Sequence, residues 1–169
     1  RLKTKGIEVG HIFYFGDKYS KPMDASVDFQ GNKEFVKMGS YGIGVSRLVG
    51  AIIEAKYDDK KEIMKWPMSV TPFDCAIIPL ISKNDNSNLE KANNILKEFK
   101  INKIESIIDD TDENLSSKIK KFNLIGIPYQ IILGKKSDEN IVEFKEVDGN
   151  SQNLSLKKII EIINSKKRN

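Results

Sequence analysis

One cysteine, Cys75, and one histidine, His11, are the only sulfur-anion and imidazole groups among 169 residues. A disulfide needs two cysteines and a zinc site of the usual nitrogen and sulfur type needs three or four ligands, so neither can be assembled within this chain. A reducing cytoplasm is the expected setting. No run approaches the ~18–20 consecutive apolar residues that cross a bilayer, and Arg1 to Lys5 lead into no signal-type apolar stretch, so no membrane span or secretory leader is expected. A strongly charged arm is also missing. Net charge is +4, with +3 on residues 1–70 and +1 on the rest, which permits an anionic partner without demanding one. The short basic run Lys166, Lys167, Arg168 reads as a solvated tail. No Gly-x-Ser-x-Gly elbow occurs and no base accompanies Ser40 or Ser46, which leaves covalent catalysis without support. The chain opens at Arg1, without a Met, on the approach to a strand, and is expected to be a piece of a longer protein.

With 39% hydrophobic and 31% charged residues, the composition is that of a globular chain, and its length fits one large domain or two small ones. Trp66-Pro67 and Thr71-Pro72 bracket a stretch whose prolines cannot donate to a ladder, and the domain boundary is placed there, giving 1–68 and 69–169. Upstream, residues 7–15 alternate with period two, as a strand does. Phe35 to Met38 reads as a second strand, Gly39, Gly42 and Gly44 as a turn, and Val45, Leu48, Val49, Ile52 and Ile53 as one face of a helix ending near Ala55. Downstream, strands are predicted at 73–81, 104–109, 129–133 and 141–147. Helices are predicted around Leu89 to Phe99, where Ser87 and Glu90 form a capping box, around Leu115 to Phe122, and from a Ser155 cap through Ile163. Alternating strands and helices imply a mixed, mostly parallel sheet flanked by helices, with an antiparallel edge at 129–147. The first 70 residues leave sheet edges open, which missing chain or a partner must cover.

The most informative stretch is Gly39-Ser40-Tyr41-Gly42-Ile43-Gly44-Val45-Ser46-Arg47. Glycines let amides approach a ligand, the helix start favours an anion, and a guanidinium on the first turn can grip phosphate oxygens. It is neither a dinucleotide fingerprint, since Arg47 stands at the third glycine position, nor a P-loop, since the Gly-Lys-Ser/Thr ending is missing. Close helix-to-sheet packing explains the glycines equally well, so the residues alone leave both readings open. His11, on the apolar face of its strand, reads first as a hydrogen-bonded core residue. Asp109, Asp110, Asp112 and Glu113 follow a strand at its carboxyl end, where open α/β sheets bind ligands. They lack the glycine and distal Glu of a calcium loop and read as a solvated, helix-capping loop.

Several ungapped blocks then coincide. Gly6-Ile7-Glu8-Val9-Gly10-His11-Ile12-Phe13, Gly16-x-Lys18-Tyr19-Ser20, and Met38 through Leu48 closely resemble the bacterial prolyl-tRNA synthetases, as do Trp66-Pro67, Pro72-Phe73 and Leu124-Ile125-Gly126-Ile127-Pro128. The resemblance covers nearly the whole chain in order. It implies an α/β fold in two parts: the end of a class II catalytic domain, an antiparallel sheet carrying the third signature motif, followed by an anticodon-binding domain. It implies that Arg47, with Gly42 and Gly44, meets ATP, that Gly10, His11, Gly39 and Ser40 line the proline pocket, and that Asp110, Glu113 and Lys118 meet the anticodon. The implied reaction activates proline with ATP, with Mg2+ sharing the phosphate charge, and transfers the prolyl group to the 3′ end of tRNA(Pro). The implied parent is a cytoplasmic homodimer without membrane attachment. Thr111 stands where many members have arginine, Asn114-Leu115-Ser116 replaces an Arg-Pro-Gly run, and Lys121 and Asn123 replace acidic residues. The first two signature motifs are outside this chain, so it is expected to be inactive alone. A non-catalytic RNA-binding module, or a sister synthetase for threonine, glycine or histidine, are the competing readings.

Overall fold

The structure is a computed structural model that describes residues 5–82, 85–134 and 141–167; Arg1 and Arg168 lie outside them. The chain forms two compact units, Arg1–Glu54 and Ala55–Asn169.

In the first unit, β1 (Gly10–Gly16) pairs antiparallel with β4 (Met38–Ile43), and β2 (Ser26–Phe29) forms a hairpin with β3 (Asn32–Phe35). The predicted strand at Phe35 to Met38 is not there. β3 stops at Phe35, and β4 runs through Gly39 and Gly42, which the pattern assigns to a turn. Pairing overrides the poor strand propensity of glycine because β1 comes too close for side chains. A Cβ on Gly10 would lie 2.8 Å from the Gly42 carbonyl, and one on Gly39 would lie 3.0 Å from that of Phe13. Only Gly44 makes the corner. Its N–H donates to the Val9 carbonyl at 2.8 Å and its own carbonyl accepts from Leu48, which starts α1 (Val45–Lys56). The apolar face of α1 is only partly covered: Leu48 and Ile52 are half-buried, whereas Val45, Val49 and Ile53 are exposed.

The second unit is built on a five-stranded sheet. It orders β11 (Gln152–Ser155), β10 (Ile141–Glu146), β9 (Tyr129–Leu133), β7 (Cys75–Pro79) and β8 (Ser106–Ile108) side by side. β7 runs parallel to both neighbours, while β10 is antiparallel to β9 and β11. The sheet is therefore mixed, as expected, but parallel and antiparallel pairings are equal in number because β11 was not predicted. α2 (Ser87–Ile101) and α4 (Leu156–Lys167) cover one face, where Ile95, Phe99, Ile159 and Ile163 meet Cys75, Ile77 and Ile131. α3 (Leu115–Ile125) covers the other, packing Phe122 with Ala76, Ile78 and Ile127. Covered on both faces, β7 is buried along its whole length and reads as a continuous apolar run.

The predicted capping box does not form. Ser87 is already helical and donates its N–H to Asp85 Oδ1, and Asn86 is the cap. α3 has the better cap: Asn114 Oδ1 accepts from the Ser117 N–H at 2.9 Å. The short pair β5 (Tyr57–Asp58) and β6 (Ile63–Met64) packs with this unit, since buried Met64 sits against Gly126 and Trp66 Nε1 donates to the Ile125 carbonyl at 2.8 Å. By packing, the proline-bracketed stretch thus lies within the second unit, and the division falls upstream of it. At the far end, Lys167 Nζ reaches the buried Asp74 carboxylate at 2.6 Å and the Lys103 carbonyl at 2.8 Å, clasping the last turn of α4 to the residue before β7. Among the described residues no helix is long and apolar enough to cross a membrane.

Gly126 closes α3 at φ 83°, and a Cβ there would fall 2.5 Å from Met64 Cγ and 2.8 Å from the Met64 carbonyl. Gly126→Ala is expected to destabilise the second unit by about 1–3 kcal/mol through left-handed strain alone, and by more if Met64 cannot move. A urea titration measures it.

Candidate functional site

The glycine corner and β1 together enclose a hollow of about 270 Å³ lined by Glu8, Val9, Gly10, His11, Gly42, Ile43, Gly44 and Arg47. Register explains the space. His11 lies directly opposite Gly42 across the ladder, and a Cβ at Gly42 would meet nothing within 4 Å, so the neighbour of the imidazole is empty. At Gly44 a Cβ would press on Arg47 Cβ at 3.2 Å, so glycine there sets the seat of the arginine. Arg47 Nη1 donates to the Glu8 carbonyl at 2.7 Å, while 58% of the side chain stays accessible. Four of the five N–H donors of a guanidinium remain beyond that bond. Glu8 Oε1 lies 3.3 Å from His11 Nδ1 and 3.9 Å from Arg47 Nη1, orienting both side chains. No acidic residue occupies the first turn of α1, so the positive end of its dipole is not neutralised from within. The arrangement suits an anion.

Of the residues singled out in the sequence, the hollow gathers Gly10, His11, Gly42, Gly44 and Arg47. Gly39 and Ser40 do not line it. They pair with Tyr14 and Phe13 farther along the ladder, although Ser40 shares a sheet face with His11 by register. Glu8 was missed because the period-two reading of 7–15 sets it on the strand face opposite His11, whereas β1 begins only at Gly10 and leaves Glu8 in the approach, within reach of the imidazole.

The second candidate region lies at the carboxyl ends of β7 and β8. Asp109, buried, follows β8 and donates its N–H to the Ile77 carbonyl. Its Oδ1 accepts from Thr111 N–H at 3.1 Å and Thr111 Oγ1 at 2.6 Å, and its Oδ2 pairs with Lys121 Nζ at 2.7 Å. Burial alone would push this carboxyl up, but the bonds from Lys121 and Thr111 and the charge of Lys118 outweigh it and hold the group below the usual carboxylate value. The bond to Asp109 in turn raises Lys121. Glu113 and Asp110 are exposed, Glu113 bridging to Lys121 at 3.2 Å.

Lys118 has no exposed surface. Its ammonium donates to the Pro79 carbonyl at 3.0 Å and the Asp109 carbonyl at 3.1 Å, with Asp109 Oδ1 at 3.7 Å. The expectation of a solvated acidic loop therefore needs correcting at Asp109, which is a buried anchor, and the helix cap is Asn114 rather than an acid. Thr111, where the family pattern has arginine, is the hydroxyl that holds that anchor. The burial of Lys118 was readable in principle: it falls on the stripe 115, 118, 119, 122 that α3 turns to the sheet.

A larger cleft of about 480 Å³ in the second unit includes Tyr57, Lys65, Trp66, Tyr129, Glu146 and Asp148 among its lining residues. None of the candidate site residues lines it, although Trp66, Pro67 and Pro128 of the resembling blocks do, and Lys65 is spent on Glu146 and Asp148 at 3.3 and 2.9 Å.

A folded-state carboxyl held below its ordinary value of about 3.9 stabilises the protein above that pH, and the benefit is lost as pH falls through the folded value. Asp109→Asn is accordingly expected to cost about 1–3 kcal/mol at pH 7. The gap from the native sequence should close below about pH 4, as thermal midpoints measured across pH would show.

Residues 74–166 match the family model described as anticodon binding domain. The chain is 67% identical over 168 residues to the proline–tRNA ligase of Pelagibacter ubique (strain HTCC1062), covering 99% of this chain and 38% of that protein. It is 48% identical over 166 residues to the proline–tRNA ligase of Wolbachia sp. subsp. Brugia malayi (strain TRS), covering 96% and 38%. With that of Rickettsia canadensis (strain McKiel) it shares 52% over 144 residues, covering 84% and 32%. The chain thus spans less than two fifths of the length of these curated relatives. Matched through more than half of its residues, with a mixed sheet flanked by helices on both faces, this chain belongs to the anticodon binding domain family.

Proposed function

We propose that the chain is part of a bacterial proline–tRNA ligase, residues 1–68 ending the class II catalytic domain with its third signature motif and residues 69–169 binding the anticodon of tRNA(Pro). The whole protein activates proline with ATP and esterifies the 3′ end of tRNA(Pro), as a cytoplasmic homodimer. The observation that carries this reading is the hollow of the first unit, where bare glycine backbone, an anchored arginine and a helix start converge on an anion-sized space. Ligase relatives aligned over almost the whole chain support it, and their shared name favours proline over the sister synthetases. A non-catalytic RNA binder has no use for the corner.

In the first step the proline carboxylate attacks the α-phosphorus of ATP and pyrophosphate leaves; in the second the terminal ribose hydroxyl attacks the prolyl carbonyl and AMP leaves. Neither step needs a protein nucleophile, so the chain contributes position and charge. Arg47, tethered to the Glu8 carbonyl, offers its remaining donors to phosphate oxygens. Gly42 and Gly44 keep side chains out of the nucleotide's place. His11, with Nδ1 held by Glu8, directs its other ring nitrogen to the amino acid; Gly10 lines the same hollow, and Gly39 and Ser40, farther along the ladder, extend the proline site beyond it. Magnesium accompanies ATP in this chemistry. Among the described residues no group of three or more His, Cys, Asp and Glu gathers, and no step is assigned through a metal ion.

In the complete ligase, Arg47→Ala is expected to lower kcat/KM for ATP by about 10²–10³-fold in proline-dependent pyrophosphate exchange, the loss of ~3–4 kcal/mol of charge stabilisation. A change within twofold refutes the assigned role. Residues 1–169 alone are expected to give no exchange, and turnover by them would contradict the division of labour proposed here.

A further inference from the structure

The charge of Lys118 is in an unusual place. An ammonium taken fully out of water is costly unless every donor is met, and a residue that touches nucleic acid keeps its head at the surface. Lys118 has no exposure, and its three donors face the Pro79 carbonyl at 3.0 Å, the Asp109 carbonyl at 3.1 Å and Asp109 Oδ1 at 3.7 Å. Those carbonyls mark the carboxyl ends of two neighbouring parallel strands, β7 and β8. The lysine thereby pins both strand ends to the first turns of α3. Asp109 extends the grip outward, its carboxylate taking Thr111 through N–H and hydroxyl and Lys121 at 2.7 Å, and Lys121 reaches on to Glu113 at 3.2 Å. On the other side, Asn114 fixes the helix start. Residues 110–113 are thus hung between two fixed points, with Asp110 and Glu113 outward.

We propose that Lys118 and Asp109 are positioning residues that preset the loop 110–113 for reading anticodon bases, and that Lys118 itself does not touch RNA. The inference rests on the anticodon reading of the module.

The test uses the full-length ligase and two RNA probes, the anticodon stem-loop of tRNA(Pro) and the same stem-loop with its anticodon bases substituted. In the free native protein, Lys118 should resist reductive methylation while exposed Lys120 reacts. In Lys118→Met the affinity ratio between the two stem-loops should fall at least tenfold. The dependence of log Kd on log salt should keep its slope, because no phosphate contact is lost. Asp109→Asn, which leaves Lys118 both carbonyls, should lower the ratio in the same direction and carries the comparison should the methionine variant fail to fold. Three results would overturn the inference: methylation of Lys118 as fast as Lys120, a ratio unchanged within twofold in the folded variants, or a slope reduced by about one unit with the ratio intact. Native protein that does not distinguish the two stem-loops, with Lys118 still protected, overturns instead the anticodon reading on which the inference stands.

Discussion

A buried ammonium held by two main-chain carbonyls organises the second unit. Lys118 spans from the helix side of the sheet to the ends of β7 and β8, and the geometry of β8, of the loop after it and of the entry to α3 all follow from that fixed point. An apolar residue could fill the volume, but it would leave the Pro79 and Asp109 carbonyls facing each other's negative ends without a donor. The cost of desolvating the charge is met by partners on three sides, and Asp109 balances it electrostatically. With every partner accounted for, the cluster fixes a single geometry beside the loop that follows β8.

The first unit works by the opposite device, removal of matter. Gly10 and Gly39 allow β1 and β4 to close on each other, Gly42 leaves open the place beside His11, and Gly44 turns the chain so that Arg47 arrives over the same spot. Its strands also show Ile12 at 82% and Tyr41 at 86% exposure, cross-strand partners on one face of a two-stranded ribbon, and Phe13 at 52% on the other. Such a ribbon is not self-sufficient. In the ligase reading, its edges pair with further strands of the catalytic sheet and its faces are covered by the rest of that domain.

What the sequence disclosed follows the strength of the local physical signal. β9 was legible to the residue because Tyr129, Ile131, Ile132 and Leu133, interrupted only by Gln130, sit between Pro128 and Gly134. β4 was not, since glycines carry turn propensity and only the nearness of β1 makes them strand. β11, Gln152–Ser155, is polar and held by main-chain pairing to β10, so no side-chain period announced it. The same rule covers the sites. Glycines and an arginine at a strand-to-helix corner are visible as a pattern, and five of the seven residues read there line one hollow. Lys118 was legible as a position on the buried stripe of α3, but its pairing with Asp109 was not, because the approach of β8 to that helix is set by the tertiary fold and leaves no period in the sequence.

The clasp between Lys167 and Asp74 joins positions 93 apart in the chain. During synthesis the carboxylate that precedes the central strand therefore emerges 93 residues before the ammonium that pairs with it, and the clasp between that strand and the last turn of α4 can close only after residue 167 has been made.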